Sequence, residues 1–125
     1  MKRSILLFDP DPVAASTLAM QLTHAGFPTD VAPDGAAAIS SAGVKQFAAI
    51  VVIADLADSQ MRHCLQRIRR ADPEAWLIVI SDPTVGRARE VVRQLGGDVT
   101  MDVPFTVSEL ARRLSTVPAR VPTDA

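Results

Sequence analysis

Ile5-Leu6-Leu7-Phe8-Asp9-Pro10-Asp11-Pro12 is the stretch on which the fold turns. Its first four residues are apolar without alternation, the pattern of a strand covered on both faces. The run stops on an acid, and Asp11-Pro12 then opens a helix. Asp is suited to cap the free backbone N–H groups of the first turn, and Pro at the first helical position gives up a donor that has no partner there. Leu18, Leu22 and Ala25 follow on one helical face, and Gly26 is expected to end the helix. A buried strand that gives way at once to a capped helix is the repeating step of a parallel sheet.

The step recurs downstream. Ile50–Ala54 and Leu77–Ser81 are further continuous apolar runs, with Thr29–Ala32 and Val99–Met101 as weaker strands. The helical patterns between them are Gly35–Ala42, closed by Gly43; Ser59–Arg70, with Met61, Leu65 and Ile68 at helical spacing; Val85–Leu95, closed by Gly96-Gly97; and Thr106–Leu114. The last opens with Thr106-Val107-Ser108-Glu109, a capping box in which the two side chains satisfy each other's backbone N–H groups. The expected fold is α/β: a five-stranded parallel sheet with five helices on its two faces, joined by right-handed crossovers. In such sheets ligand chemistry sits at the carboxyl ends of the strands. Here those ends are Asp9–Asp11, Ile53–Asp55, Ser81-Asp82 and Asp102–Pro104.

Composition narrows the function classes. The 125 residues suit one domain, expected over residues 1–117, with 118–125 as a flexible tail or linker stub. The chain is 48% hydrophobic but 4% aromatic, so aliphatic side chains must build the core. Lys+Arg 13 against Asp+Glu 14 leaves a net charge of −1, which gives no general pull towards nucleic acid. Cys64 is the single cysteine and excludes an intrachain disulfide. No apolar run reaches the ~20 residues of a membrane span or forms a signal-peptide core, so a cytoplasmic protein is expected.

With the alternation in place, the quoted segments resemble the receiver domain of bacterial two-component response regulators, a flavodoxin-like three-layer sandwich. ILLFDPDP is similar to that family's first strand and acidic cluster, HAGFPTDVAPDG to its second strand and Asp-Gly turn, and LIVISD to its fourth strand with a hydroxyl residue. LGGD and VPF are similar to its Gly-Ala-Asp and Lys-Pro-Phe segments. The resemblance spans Lys2 to Leu114 and implies a five-part site. Two adjacent acids hold Mg²⁺, and an Asp ending the third strand accepts phosphate. A Ser or Thr after the fourth strand and a Lys before a cis-proline hold the phosphoryl oxygens. A fifth-strand aromatic reports the switch. The cation and the lysine offset the dense negative charge of an aspartyl phosphate.

Carried over by position, the resemblance leaves Asp9 as the first acid and Ser81 as the switch hydroxyl. Pro10 replaces the second acid, Val103 the lysine and Thr100 the aromatic. Counting forward from Asp34-Gly35 and back from Leu65–Arg69 both place Ile53 at the phosphoacceptor. Asp55 could serve instead if the third strand shifted by two residues, which preserves side-chain parity. Asp11 fits a helix cap better than a metal ligand. No cofactor is expected, with Mg²⁺ left only Asp9 and Asp55. The resemblance implies a pseudo-receiver acting by protein contact, with a histidine kinase or another signalling protein as partner. It also implies a homodimer surface on the fourth helix, fifth strand and fifth helix, where Arg89, Arg93, Asp98, Asp102, Glu109 and Arg112 supply mixed charge. The rivals are a working receiver using Asp55 and a small-ligand-binding doubly wound domain.

Other constellations carry less. His24 and His63 fall on different helices without a second ligand, and His24 suits a helix C-terminus. Cys64 fits a half-buried small hydrophobe. Gly96-Gly97-Asp98 has the letters of the cyclic-dinucleotide synthase motif, but its place after a helix makes it a cap and turn. Arg62, Arg67, Arg69 and Arg70 on the third helix, and Arg87, Arg89 and Arg93 on the fourth, are expected to be solvated faces. No acid–base or nucleophile pair points to an enzyme.

Overall fold

The structure is a computed structural model, and it describes residues 3–118. The expected tail therefore lies outside the described residues except for Pro118. Strands β1 (Ile5–Phe8), β2 (Thr29–Ala32), β3 (Ala49–Ile53), β4 (Trp76–Ser81) and β5 (Val99–Asp102) form one parallel sheet in the order β2-β1-β3-β4-β5. They alternate with α1 (Pro12–His24), α2 (Gly35–Val44), α3 (Ser59–Ala71), α4 (Ala88–Gln94) and α5 (Val107–Ser115).

The period-two side-chain alternation of the strands builds two cores. Ile5, Leu7, Val51, Ile78, Ile80 and Met101 pack with Leu18 and Leu22 of α1 and Leu110 and Leu114 of α5. Leu6, Phe8, Ile50, Val52, Leu77 and Val79 pack on the other face with Ala38 of α2, Leu65 and Ile68 of α3 and Val92 of α4. The central strands are buried throughout most of their length, which is why they read as unbroken apolar runs.

The expected Asp11 cap forms, and Asp58 supplies another. Asp11 Oδ1 accepts the N–H groups of Val13 and Ala14, and Asp58 Oδ1 accepts that of Gln60. Of the Thr106–Glu109 box, the Glu109 N–H donates to Thr106 Oγ1 at 3.1 Å; the reciprocal bond does not occur among the described residues. Val103–Pro104 is a cis peptide. Gly96 has φ +90°, and Gly97 lies so close to Val92 that a Cβ there would stand 2.3 Å from Cγ1, so both are required in this turn.

The third strand runs Ala49–Ile53 rather than Ile50–Ala54, so Ala54 already lies beyond it, and helix boundaries differ from expectation too. Gly43 does not end α2 but lies within it, exposed, because the helix runs on to Val44. Ala25 is an exposed C-cap rather than a core contact. The fourth helix starts at Ala88, not Val85. Asp82 folds the segment before it by accepting both the N–H and the hydroxyl of Thr84, and Arg87 then takes a left-handed conformation at φ 59°.

The third helix is not a simply solvated arginine face either. Arg69 lies mostly buried at its C-terminal end, with its side chain 19% exposed. Its guanidinium donates to the carbonyls of Gly96 (2.8 Å), Asp72 (3.2 Å), Pro73 (3.0 Å) and Ala75 (2.7 Å), and to Asp98 Oδ2 (2.7 Å). Asp98 Oδ2 also accepts the Leu77 N–H. One planar cation thus ties α3 to the loops entering β4 and β5, the geometry for which arginine is suited. Arg62 similarly closes the β3–α3 loop through the Leu56 carbonyl at 2.7 Å.

Candidate functional site

The carboxyl ends of β1, β3, β4 and β5 surround an open cavity of about 460 Å³. Its lining includes Asp9, Pro10 and Asp11 after β1, Ile53, Ala54 and Asp55 at and after β3, and Ile80, Ser81 and Asp82 at the end of β4. Val85 and Val103 complete it. The sheet register explains the convergence. Phe8 pairs with Val52 and Ile53 with Ile80, so the strand ends stop almost level, and the polar loops leave from one rim. The strand-end position of β3 is Ile53, half-buried against the α1–α5 core, and Val103 packs against that same core. Ala54 then bonds through its N–H to the Ile80 carbonyl, and Asp55 follows in the loop, exposed at the cavity rim.

Four carboxylates line this cavity, and each spends one oxygen on its own backbone. Asp9 Oδ1 accepts the Asp11 N–H at 2.9 Å, Asp11 Oδ1 caps α1, Asp55 Oδ1 accepts the Ala57 N–H at 3.0 Å, and Asp82 Oδ1 binds Thr84. The two Thr84 hydrogen bonds, backbone first and hydroxyl second, lower the Asp82 pKa from its ordinary value. Among the described residues none of the four is in an ion pair: the pairs are Lys45–Asp30, Arg69–Asp98 and Arg87–Glu90.

Ser81 lies beneath them, 1% exposed, and its Oγ has no hydrogen-bond partner among the described residues. An unpaired buried hydroxyl costs on the order of 1–3 kcal/mol. Its carbonyl, by contrast, accepts the Val103 N–H at 3.0 Å.

The donor set does not suit Mg²⁺. That ion demands near-octahedral oxygen coordination, whereas Pro10, Ile53 and Val103 present apolar surface here. No group of three or more His, Cys, Asp or Glu among the described residues could hold a metal ion. His24 is exposed in the last turn of α1, and His63 is exposed on α3. Cys64 is half-buried beside Gly35, and burial pushes its thiol pKa up against the opposing influence of Arg67.

The edge strand β5 carries the second cluster. One groove of about 320 Å³ is lined by Arg89, Asp102, Glu109 and Arg112, and another of about 430 Å³ by Arg89, Arg93 and Asp98; Thr100 lines both. Of the six charged residues grouped on the sequence, Asp98 is already engaged by Arg69. Asp82, expected only as a strand-end residue, and Val85, expected only as a helix start, both line the strand-end cavity, and Arg69, expected on a solvated face, is engaged at the opposite end. LIVISD does contain Asp82, but nothing in the linear pattern pairs Arg69 with Asp98.

No family model matches the chain. It is 26% identical over 111 residues to the probable transcriptional regulatory protein TcrX of Mycobacterium tuberculosis, covering 89% of this chain and 47% of that protein. The chain thus spans about half the length of this curated relative. Among solved structures it is similar to the receiver domain of Francisella response regulator 1452, with 21% identity, 93% and 96% coverage of the two chains and a TM-score of 0.81. An adenylate cyclase structure from Rhodopirellula baltica matches with 19% identity, 92% and 86% coverage and a TM-score of 0.80. The receiver domain of sensor histidine kinase PA1611 from Pseudomonas aeruginosa, solved with magnesium in its active-site cleft, matches with 24% identity, 94% and 98% coverage and a TM-score of 0.77. The chain has the receiver fold, with the strand order of that fold. No helix among the described residues is long and apolar enough to cross a membrane.

Proposed function

We propose that this chain is a receiver-like signalling module of a bacterial two-component system that acts in the cytoplasm by protein contact, without phosphorylation and without catalysis of its own. The observation that carries the reading is the pairing of Ile53 at the end of β3 with Val103 beside the cis-proline, both packed on the α1–α5 core. The joint change is physically coherent. Removing only an acceptor acid or only a lysine leaves the other charge without its partner, while replacing both with apolar groups removes that cost. Pro10 removes a metal ligand, and Thr100 removes the aromatic that would report phosphorylation.

In this reading Asp9 and Ser81 are remnants, and Asp11 is a helix cap. The partner is a histidine kinase or another signalling protein. The surface of α4, β5 and α5, with Arg89, Arg93, Asp102, Glu109 and Arg112, is where a partner or second copy would dock. The near-neutral charge argues against nucleic acid as the target of this domain.

Incubation with acetyl phosphate and Mg²⁺, followed by intact-mass measurement, tests the reading. An unmodified mass is the expected result, and a hydroxylamine-sensitive adduct overturns it. One observation favours a second reading: Asp55 and Asp9 line the same cavity. A receiver using Asp55 predicts an adduct that disappears in Asp55→Asn.

A further inference from the structure

We propose that the strand-end cavity binds a small organic cation, a primary ammonium carried on a short hydrocarbon body. This inference rests on the reading that the cavity no longer serves phosphoryl transfer. Three features of the cavity lead to it. Its rim carries Asp9, Asp11, Asp55 and Asp82, with no cationic side chain in the lining and no ion pair to any of them among the described residues. Its walls are apolar where a metal–phosphate site would be polar, being formed by Pro10, Ile53, Val85 and Val103 among others. Ser81 lines it as well, almost completely buried and with Oγ unpartnered.

Each feature selects part of the ligand. Carboxylates held in place by backbone N–H groups favour a cation and exclude an anion such as phosphate. The aliphatic walls favour hydrocarbon over a hydrated metal ion. An ammonium has three donors and no acceptor, so it can use the free carboxylate oxygens and the lone pairs of Ser81 Oγ together. An alcohol of the same length would find the walls but forgo the charge, and a carboxylic acid would be repelled.

The test uses the whole chain and n-hexylammonium as probe, with hexanol, hexanoate and Mg²⁺ as comparators, read by amide chemical shifts. Saturable shifts at Asp9, Asp55, Ser81 and Val103 are expected, with a Kd on the order of 1 mM for a ligand of about seven non-hydrogen atoms. Binding should weaken with added salt, and by about tenfold in Asp9→Asn/Asp55→Asn, losing one carboxylate charge at each position. Ser81→Ala, which leaves the rim charge intact, should weaken it less. Equal affinity for hexanol, shifts scattered over unrelated acids, or tighter binding of Mg²⁺ that displaces the amine would each overturn the proposal. The phosphodonor assay is read separately, so an adduct there defeats the signalling reading while the amine titration still reports on the cavity itself.

Discussion

Two polar side chains are buried among the described residues, Asp72 near the entry to β4 and Ser81 at its exit, and the structure treats them oppositely. Asp72 Oδ1 accepts the N–H groups of Glu74 and Ala75, and its carbonyl accepts from Arg69. Ser81 Oγ has no partner among the described residues. The contrast extends to the charges around them. At the Asp72 end, Asp98 meets both the Arg69 guanidinium and a backbone N–H. At the Ser81 end, four carboxylates share a cavity without one cation among the described residues. Framework polar groups are satisfied because leaving them unpaired costs stability. Groups left unsatisfied at the strand ends mark the region where the fold has room for function.

Substitutions at the two ends should therefore change stability in opposite directions. The largest expected effect is at the satisfied end: Arg69→Met removes five hydrogen bonds and the partner of Asp98, and should lower stability by about 3 kcal/mol in urea denaturation. A loss of only a few tenths would show that Arg69 is not the tie between α3 and the β4–β5 loops. Ser81→Ala should raise stability by about 1 kcal/mol, because it deletes a buried hydroxyl with no partner. Destabilisation there would mean that the hydroxyl is already satisfied in solution. Asp9→Asn and Asp55→Asn should each shift stability by less than about 0.5 kcal/mol, since an amide oxygen keeps the loop hydrogen bond and the lost charge has no partner.

The smallest effect concerns titration. The Asp82 pKa is held down by Thr84, so its contribution to stability is present above the unfolded-state pKa and is lost as pH falls through the folded one. Thr84→Ala removes the hydroxyl bond but keeps the backbone one. The Asp82 midpoint measured by carboxyl-carbon NMR should then move up part of the way to the ordinary value. An unchanged midpoint would remove the Thr84 hydroxyl from the account.

The fold was legible because its central strands are buried on both faces. Ile5–Phe8 and Leu77–Ser81 carry no alternation to confuse with a surface strand, and Asp11-Pro12 marks a helix start by local chemistry alone. The start of α4 was not legible. Val85 continues the apolar spacing, but Asp82 spends its side chain on Thr84 and Arg87 turns left-handed, so the helix cannot begin there. Arg69 reads as one of a run of surface arginines, because its partners at Gly96 and Asp98 lie far along the chain and only the folded loops bring them near. The residues of the strand-end site were named by position, yet their state was not. That, among the described residues, Ser81 lacks a partner and the four acids lack a cation depends on what surrounds them rather than on what they are.

In the proposed function Pro10, Ile53 and Val103 stand where phosphoryl transfer would need an acid, an acceptor and a lysine. Intact-mass measurement after acetyl phosphate and Mg²⁺, run on the natural sequence beside the Pro10→Asp/Ile53→Asp/Val103→Lys variant, tests this most directly. An unmodified natural chain and a hydroxylamine-sensitive phosphoryl adduct on the triple variant are the expected results. An adduct on the natural chain, or a folded triple variant that stays unmodified, would contradict it.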